Sequence, residues 1–448
     1  MATQSSTTVI IVGGGLGGAL AAVYLGRAGH AVEVYEMRGD PRTGDVPAGR
    51  SINLAVSHRG LCALEGVGLK QEVLDIAVPM PGRMMHARDG RLTFQPYGLE
   101  GQANYSVSRG GLNTILLAAA DRFDNVTLRF HHKCTDVDLD APAAEFVDTL
   151  SGATLSVGGT ILIGADGAFS VVRQRMQRLH RYDYRQDYLK HGYKELTIPP
   201  GPGGSFQLEK NALHIWPRRT YMMIALPNRD GSFTCTLFWP FEGEGSFEAL
   251  KTGDDVLSFF SREFSDAVPL IPTLAEDYFK NPTGSLLTVR SSPWYYRDKV
   301  VMLGDACHAV VPFYGQGMNA AFEDVIVLSE CIERCGSDWA RVFPAYHAAR
   351  KNDVDVLADL AIANFVEMRD RTGSAVFLLK KKMEKTLHRM FRRWYIPLYS
   401  MVSFTRTPYR EAVARARRQD FVVGGVAAIV GTILAVTIVQ FIVDAIVL

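Results

Sequence analysis

Apolar runs of strand length alternate with helix-length apolar patterns along the first part of the chain. Thr8 to Val12 is a short β-branched run, the pattern of a parallel strand buried on both faces. An Ala/Leu-rich stretch to about Ala28 predicts a helix, and Ala31 to Tyr35 predicts a second strand. Apolar strand-like runs recur at Ile161 to Gly164 and Val300 to Leu303, and Ala320 to Leu328 continues the latter as a helix. The alternation predicts an α/β fold with a Rossmann-like sheet drawn from three separate segments, residues 1–75, 105–180 and 295–345.

Residues 76–104 and 181–294 are expected to form a second, mixed β-sheet domain that covers a substrate. Leu213 to Trp216, Met222 to Leu226 and Phe233 to Trp239 are β-branched and aromatic, with turns at Pro199 to Gly204 and Asn228 to Gly231. Residues 346–420 turn helical and charged. Phe421 to Val443 then carries no charge, and at 1.5 Å per residue it is long enough for a hydrocarbon core of about 30 Å. Arg410, Arg415, Arg417 and Arg418 precede it and no basic residue follows. A transmembrane helix over 421–443 is expected, with the large N-terminal part on the cytosolic side.

Composition narrows the class. The chain has 448 residues, 47% apolar and 21% charged, with a net charge of +1. That is enough for two or three domains with their own cores, and no basic excess points to nucleic acid. The six cysteines show no CxxC or metal spacing, as expected of reduced structural thiols in a cytosolic catalytic domain. The histidines form neither a Ser/His/Asp triad nor a metal cluster, and His131-His132 has no third ligand in view. No basic leader precedes the strand at Thr8, so no secretory signal is expected.

Gly13, Gly15 and Gly18 form GxGxxG between the first strand and its helix, and Glu36 ends the second strand about 20 residues on. In that setting the glycines allow a tight turn, a pyrophosphate sits on the helix N-terminus, and the acid takes ribose hydroxyls. This context predicts a nucleotide but does not separate FAD from NAD.

Two further runs make the separation. Asp166, Gly167, Ser170 and Arg173 give DGxxSxxR after the strand at Ile161 to Gly164, and GDACHAVVPFYGQGMN spans Gly304 to Asn319. Both resemble motifs of the class A flavoprotein monooxygenases, in the family's order, and imply FAD. More specific stretches are GRSINLAVSHRG (49–60), GRMMH (82–86), YSVSRGGLN (105–113), HGYKELTIPP (191–200), LHIWPR (213–218), FTCTLF (233–238), NFVEMR (364–369) and IPLYSMVSFTR (396–406). With them the chain resembles the kynurenine 3-monooxygenase family over nearly its whole length.

The resemblance implies a Rossmann-like FAD-binding domain, a mixed β-sheet substrate domain, C-terminal helices and a C-terminal transmembrane helix. It places flavin contacts on Gly13, Gly15, Gly17, Gly18, Glu36, Arg38, Ala55 and Arg109. Cys134, Asp166, Asp305, Gly315, Gly317, Met318 and Asn319 complete them. It implies NADPH as co-substrate without a second GxGxxG, and conversion of L-kynurenine and O2 to 3-hydroxy-L-kynurenine through a C4a-hydroperoxyflavin, in tryptophan catabolism. No protein residue is expected to be the catalytic base, because the aniline nitrogen already activates the ring; His308 is expected to be structural. Arg83 and Tyr97 match the family's clamp for the substrate carboxylate, and Asn364 and Tyr399 its contacts from the C-terminal helices. Leu213, Met222, Ile224, Phe238 and Phe313 would line the ring pocket, with Tyr314 beside them.

Membrane lipid is an expected partner through 421–443, in the mitochondrial outer membrane of a eukaryote or the inner membrane of a bacterium. A homodimer stays open. So do a class A hydroxylase acting on another aromatic amino acid or secondary metabolite, and a non-catalytic membrane flavoprotein.

Overall fold

The run Thr8–Val12 forms the centre of a parallel sheet, with Val9 to Val12 buried and flanked on both sides. In this computed structural model, which describes residues 7–44, 53–368 and 375–447, Val9 pairs with Ile161 on one side and Thr8 with Ala31 on the other. Among the described residues the sheet has six strands, ordered Tyr295–Tyr296, Val300–Met302, Ile161–Gly164, Thr8–Val12, Ala31–Tyr35 and Val126–Arg129. Only the edge strand Tyr295–Tyr296 runs antiparallel to its neighbour. Helices Leu16–Arg27, Arg109–Ala120 and Gly317–Cys335 pack on it around one shared core. The three-part sequence pattern thus converges on one sheet, as parallel strands with helical crossovers require.

A second sheet of seven strands runs in the order Gly284–Ser292, Asp183–Ile198, Phe233–Pro240, Met222–Pro227, Leu213–Pro217, Gly82–His86 and Leu92–Pro96. Side chains alternate between its two faces. Trp216, Met223, Leu237 and Trp239 point into a core closed by helices Gly253–Glu263 and Leu274–Lys280. Ile215, Met222 and Phe238 point the opposite way, toward the turn Pro312–Tyr314 and helices Trp339–Val366 and Leu398–Phe404. Residues 76–104 divide between two sheets. Gly82–His86 and Leu92–Pro96 join the large one, whereas Val78–Met80 pairs with Asn104–Ser108, which also pairs with Asn53–Val56.

A buried charge network ties the C-terminal segment to the half built on the six-stranded sheet. Arg59 donates to Glu323 at 2.6 and 2.8 Å, to the Val402 carbonyl at 3.2 Å and to the Thr407 carbonyl, and its guanidinium lies over the Tyr409 ring. Arg350 joins Glu323 to Asp324 at 2.7 and 2.8 Å. The chain then enters one helix, Tyr409–Val447. Its apolar residues from Phe421 to Val439 are exposed except for half-buried Val423, and Tyr409–Val439 is apolar and long enough to cross a membrane. Gly49 to Ile52 and Arg369, parts of the sequence stretches noted above, lie outside the described residues.

Candidate flavin and substrate site

The glycine turn after the first strand separates packing demands from a ligand demand. Gly13 has φ +104°, and a Cβ there would meet the Ala165 carbonyl oxygen at 2.5 Å; one on Gly18 would meet the Gly13 oxygen at 1.9 Å. Those two glycines serve the protein's own close packing. Gly15 differs: space beyond it is open to 4 Å, at the N-terminus of helix Leu16–Arg27, where backbone N–H groups and the helix dipole favour an anion. Gly17 faces the Leu303 side chain at 3.1 Å. Glu36 accepts from Gly14 N at 2.8 Å and from Arg38 N at 3.1 Å, while the Arg38 side chain stays exposed.

Asp305 is the first residue of a short helix, Asp305–His308, rather than the last of the strand. Solvent reaches the residue. Surrounding protein withholds enough water to push its pKa up, while His308 and Arg109 pull the other way. Asn319, fully buried, donates to the Ala55 and Gly315 carbonyls at 2.8 Å each and accepts from Ser57 N at 2.8 Å. That clamp fixes the turn Gly315–Gly317 against the strand Asn53–Val56, with partly buried Met318 in the first turn of the following helix.

Asp166 caps helix Val171–Met176 through one carboxylate oxygen, at 2.7 Å from Val171 N. Its other oxygen is buried without a partner. Cys134 lies in a small three-stranded sheet; burial first, and then the Asp166 charge, push its thiol up to about 12. An open helix N-terminus, an acid at the end of each flanking strand and an orphaned carboxylate oxygen make a cradle that fits an FAD.

The residues expected to bind substrate gather between one face of the seven-stranded sheet, the turn Pro312–Tyr314 and the C-terminal helices. Arg83 pairs in register with Leu213, and Met222 with Phe238. Leu213 and Ile224 pack against the same core as Phe313. The Phe313 ring is 4.9 Å from Phe238 and stacks on Phe365 at 4.0 Å. Tyr97, Tyr399 and Tyr314 form a stack, with centroids 5.1 Å apart for the first pair and 5.6 Å for the second.

The Arg83 guanidinium lies 5.1 Å from both the Tyr97 and Tyr399 rings. Burial opposes its charge, but the Tyr399 and Tyr97 oxygens and the Glu367 carboxylate outweigh that and hold it charged. Its Nε is buried with no partner. Asn364 is placed differently from a free polar contact: its amide donates to the Phe313 carbonyl at 2.7 Å and lies 3.2 Å from Met368 Sδ. His308 is bound to Asp324, which also accepts from Gly304 N at 3.0 Å and from Arg350 at 2.8 Å.

Two residues at this site carry no mark in the sequence. Asn104 donates to the Tyr399 hydroxyl at 3.0 Å, and nothing in its spacing marks it. Glu367, whose charge reaches Arg83 and Tyr314, lies inside the stretch NFVEMR, where nothing in its spacing marks it.

A family described as FAD binding domain matches residues 6–186 and 287–358. A kynurenine 3-monooxygenase of Myxococcus xanthus is 47% identical over 424 residues, covering 94% of this chain and 91% of the relative. That of Dictyostelium discoideum is 46% identical over 417 residues, covering 90% and 89%. The chain belongs to the kynurenine 3-monooxygenase family. Its fold is shared with 2-methyl-3-hydroxypyridine-5-carboxylic acid oxygenase, at TM-score 0.67 and 20% identity over 87% of this chain and 99% of that one. Pseudomonas aeruginosa PqsL shares it at TM-score 0.66 and 22% identity, over 84% of this chain and 100% of that one. Membership makes the protein an FAD-dependent monooxygenase with NADPH as co-substrate.

Proposed function

We propose that the protein hydroxylates L-kynurenine to 3-hydroxy-L-kynurenine, consuming NADPH and O2 and releasing NADP+ and water. The observation that carries this is Arg83: a half-buried, permanently charged fork whose Nε is buried and unpartnered, set between two tyrosine rings and beside an apolar face. The unpartnered Nε leaves donor capacity that a substrate carboxylate would fill by a charge-assisted, bidentate pair. Kynurenine carries that carboxylate on one end and a flat aniline ring on the other.

FAD, when bound, supplies hydride acceptance from NADPH and activation of O2 for transfer of one oxygen atom to the ring. The chain's own residues hold and orient. Gly15 and the helix N-terminus behind it would take the pyrophosphate, Glu36 the adenosine ribose, and Asp305 the ribityl hydroxyls. Arg83 and Tyr97 fix the substrate carboxylate. Leu213, Met222, Ile224, Phe238 and Phe313 give the ring a slot, which the Pro312–Tyr314 turn and helix Leu398–Phe404 close against bulk water. Asp324, itself paired with Arg350, holds the Nε2 of His308, which supports a structural role for that histidine.

Residues 421–443 are proposed to span a bilayer, with the catalytic part on the side of the preceding arginines. The test of the reaction is NADPH oxidation by purified protein. L-Kynurenine should accelerate it strongly, and Arg83→Met should abolish that response with FAD retained. Oxidation indifferent to L-kynurenine overturns the assignment.

A further inference from the structure

Helix Ala375–Met390 leaves three long apolar side chains exposed. Leu379, Met383 and Met390 stand at i, i+4 and i+11, one face of the helix, and all three are exposed. His388, on the opposite side, is buried and bonded to the Tyr395 carbonyl at 2.7 Å. Lys382, Lys385 and Arg389 flank the exposed stripe. The turn that follows continues it with Phe391 at 49% and Trp394 at 47% exposure. Four of the five tryptophans are buried; Trp394 is the exception.

This patch has a fixed height relative to the C-terminal helix. Gln419 donates to the Trp394 carbonyl at 2.7 Å, Arg415 donates to the Arg393 carbonyl at 3.0 Å, and Lys380 lies 3.8 Å from Asp420. The uncharged stretch begins at Phe421, immediately after. If Phe421 enters hydrocarbon, residues 415–420 occupy the headgroup layer, and whatever is bonded to them sits there too. Exposed Arg392, Arg393, Arg417 and Arg418 crowd the same level.

We propose that helix Ala375–Met390 and the turn 391–394 form an interfacial foot, which lies on the same bilayer and binds anionic phospholipid headgroups. Apolar side chains enter the headgroup–acyl boundary and the basic flank takes the phosphates, as in amphipathic interfacial helices with an aromatic at the boundary. The foot rests on the reading of 421–443 as a span. Its function is orientation: the same helical region carries Tyr399, so the foot fixes the substrate side of the enzyme relative to the membrane plane.

The test uses the full chain in nanodiscs of phosphatidylcholine, with or without phosphatidylglycerol, some lipids being brominated near the ester end of the acyl chain. Bromine should quench a part of the tryptophan emission that Trp394→Phe lacks, and phosphatidylglycerol should deepen that loss. Lys382→Glu/Lys385→Glu/Arg389→Glu should erase the dependence on phosphatidylglycerol while flavin content and membrane insertion persist. Protein that resists alkaline extraction yet shows no quenching of Trp394 overturns the foot alone. Emission quenched equally with and without phosphatidylglycerol overturns the anionic preference. An unquenched Trp394 that crosslinks to a second copy replaces the bilayer by a dimer contact. Failure to insert overturns the span, and the foot with it.

Discussion

The guanidinium of Arg83 stands 5.1 Å from the ring centre of Tyr399, and the two come from opposite ends of the chain. Arg83 arrives on a strand of the large sheet, whereas Tyr399 arrives on a helix that the Arg59–Glu323 pair holds in place. Arg83→Lys keeps the charge but loses the planar fork. Affinity for L-kynurenine should fall by roughly 1.5–3 kcal/mol, the worth of hydrogen bonds to a charged group, at normal flavin content. Titration with L-kynurenine followed by the flavin spectrum measures it.

Two glycines of one turn should fail differently. Gly13→Ala forces a Cβ into the Ala165 carbonyl at a left-handed φ, so the variant should lose thermal stability even before flavin is considered. Gly15→Ala meets no protein atom within 4 Å; it should fold and melt as apoprotein near the parent, yet retain less FAD. Melting temperature and bound flavin on both variants separate the two effects.

What was legible in the sequence was local. The glycine turn, Glu36 and the two later flavin runs are read from spacing within one strand–turn–helix unit, and strand alternation put Leu213, Met222 and Phe238 on one face. The rest depends on pairings between distant segments. That Gly82–His86 adds in parallel beside Leu213–Pro217 is not written in either segment. Nor is Asn364 marked as the residue that holds the Phe313 carbonyl, or Asn104 as the partner of Tyr399. Arg59 lies in GRSINLAVSHRG (49–60), yet as a lone Arg it reads as a surface charge until Glu323 and two C-terminal carbonyls close around it.

The Arg59 clamp gives a third prediction. Arg59→Met leaves Glu323 with Arg350 as its principal partner and frees the Val402 and Thr407 carbonyls. Breaking such a buried pair typically costs about 3–5 kcal/mol. Thermal unfolding should register the loss. Because helix Leu398–Phe404 is released from one side, affinity for L-kynurenine should weaken more than flavin retention does.

Acid should destabilise the substrate sheet through His214. Its Nε2 donates to the Glu209 carbonyl at 2.8 Å and its Nδ1 accepts from His86 at 2.8 Å, and burial pushes its pKa down to about 4. Between the ordinary value of about 6.5 and about 4, the unfolded chain binds a proton that the folded chain refuses. This contribution, on the order of 3 kcal/mol, is therefore complete above about pH 6.5 and lost as pH falls toward 4. Unfolding midpoints across that window should drop, and His214→Gln should flatten the dependence.

The central claim is that one oxygen atom of O2 is placed on the aromatic ring of L-kynurenine. Purified protein should be incubated with L-kynurenine, NADPH and isotopically labelled O2, and the product weighed by mass spectrometry. The account predicts 3-hydroxy-L-kynurenine carrying a single labelled oxygen, formed as NADPH is consumed. Unchanged L-kynurenine beside consumed NADPH, or a product whose new oxygen is unlabelled, would contradict it.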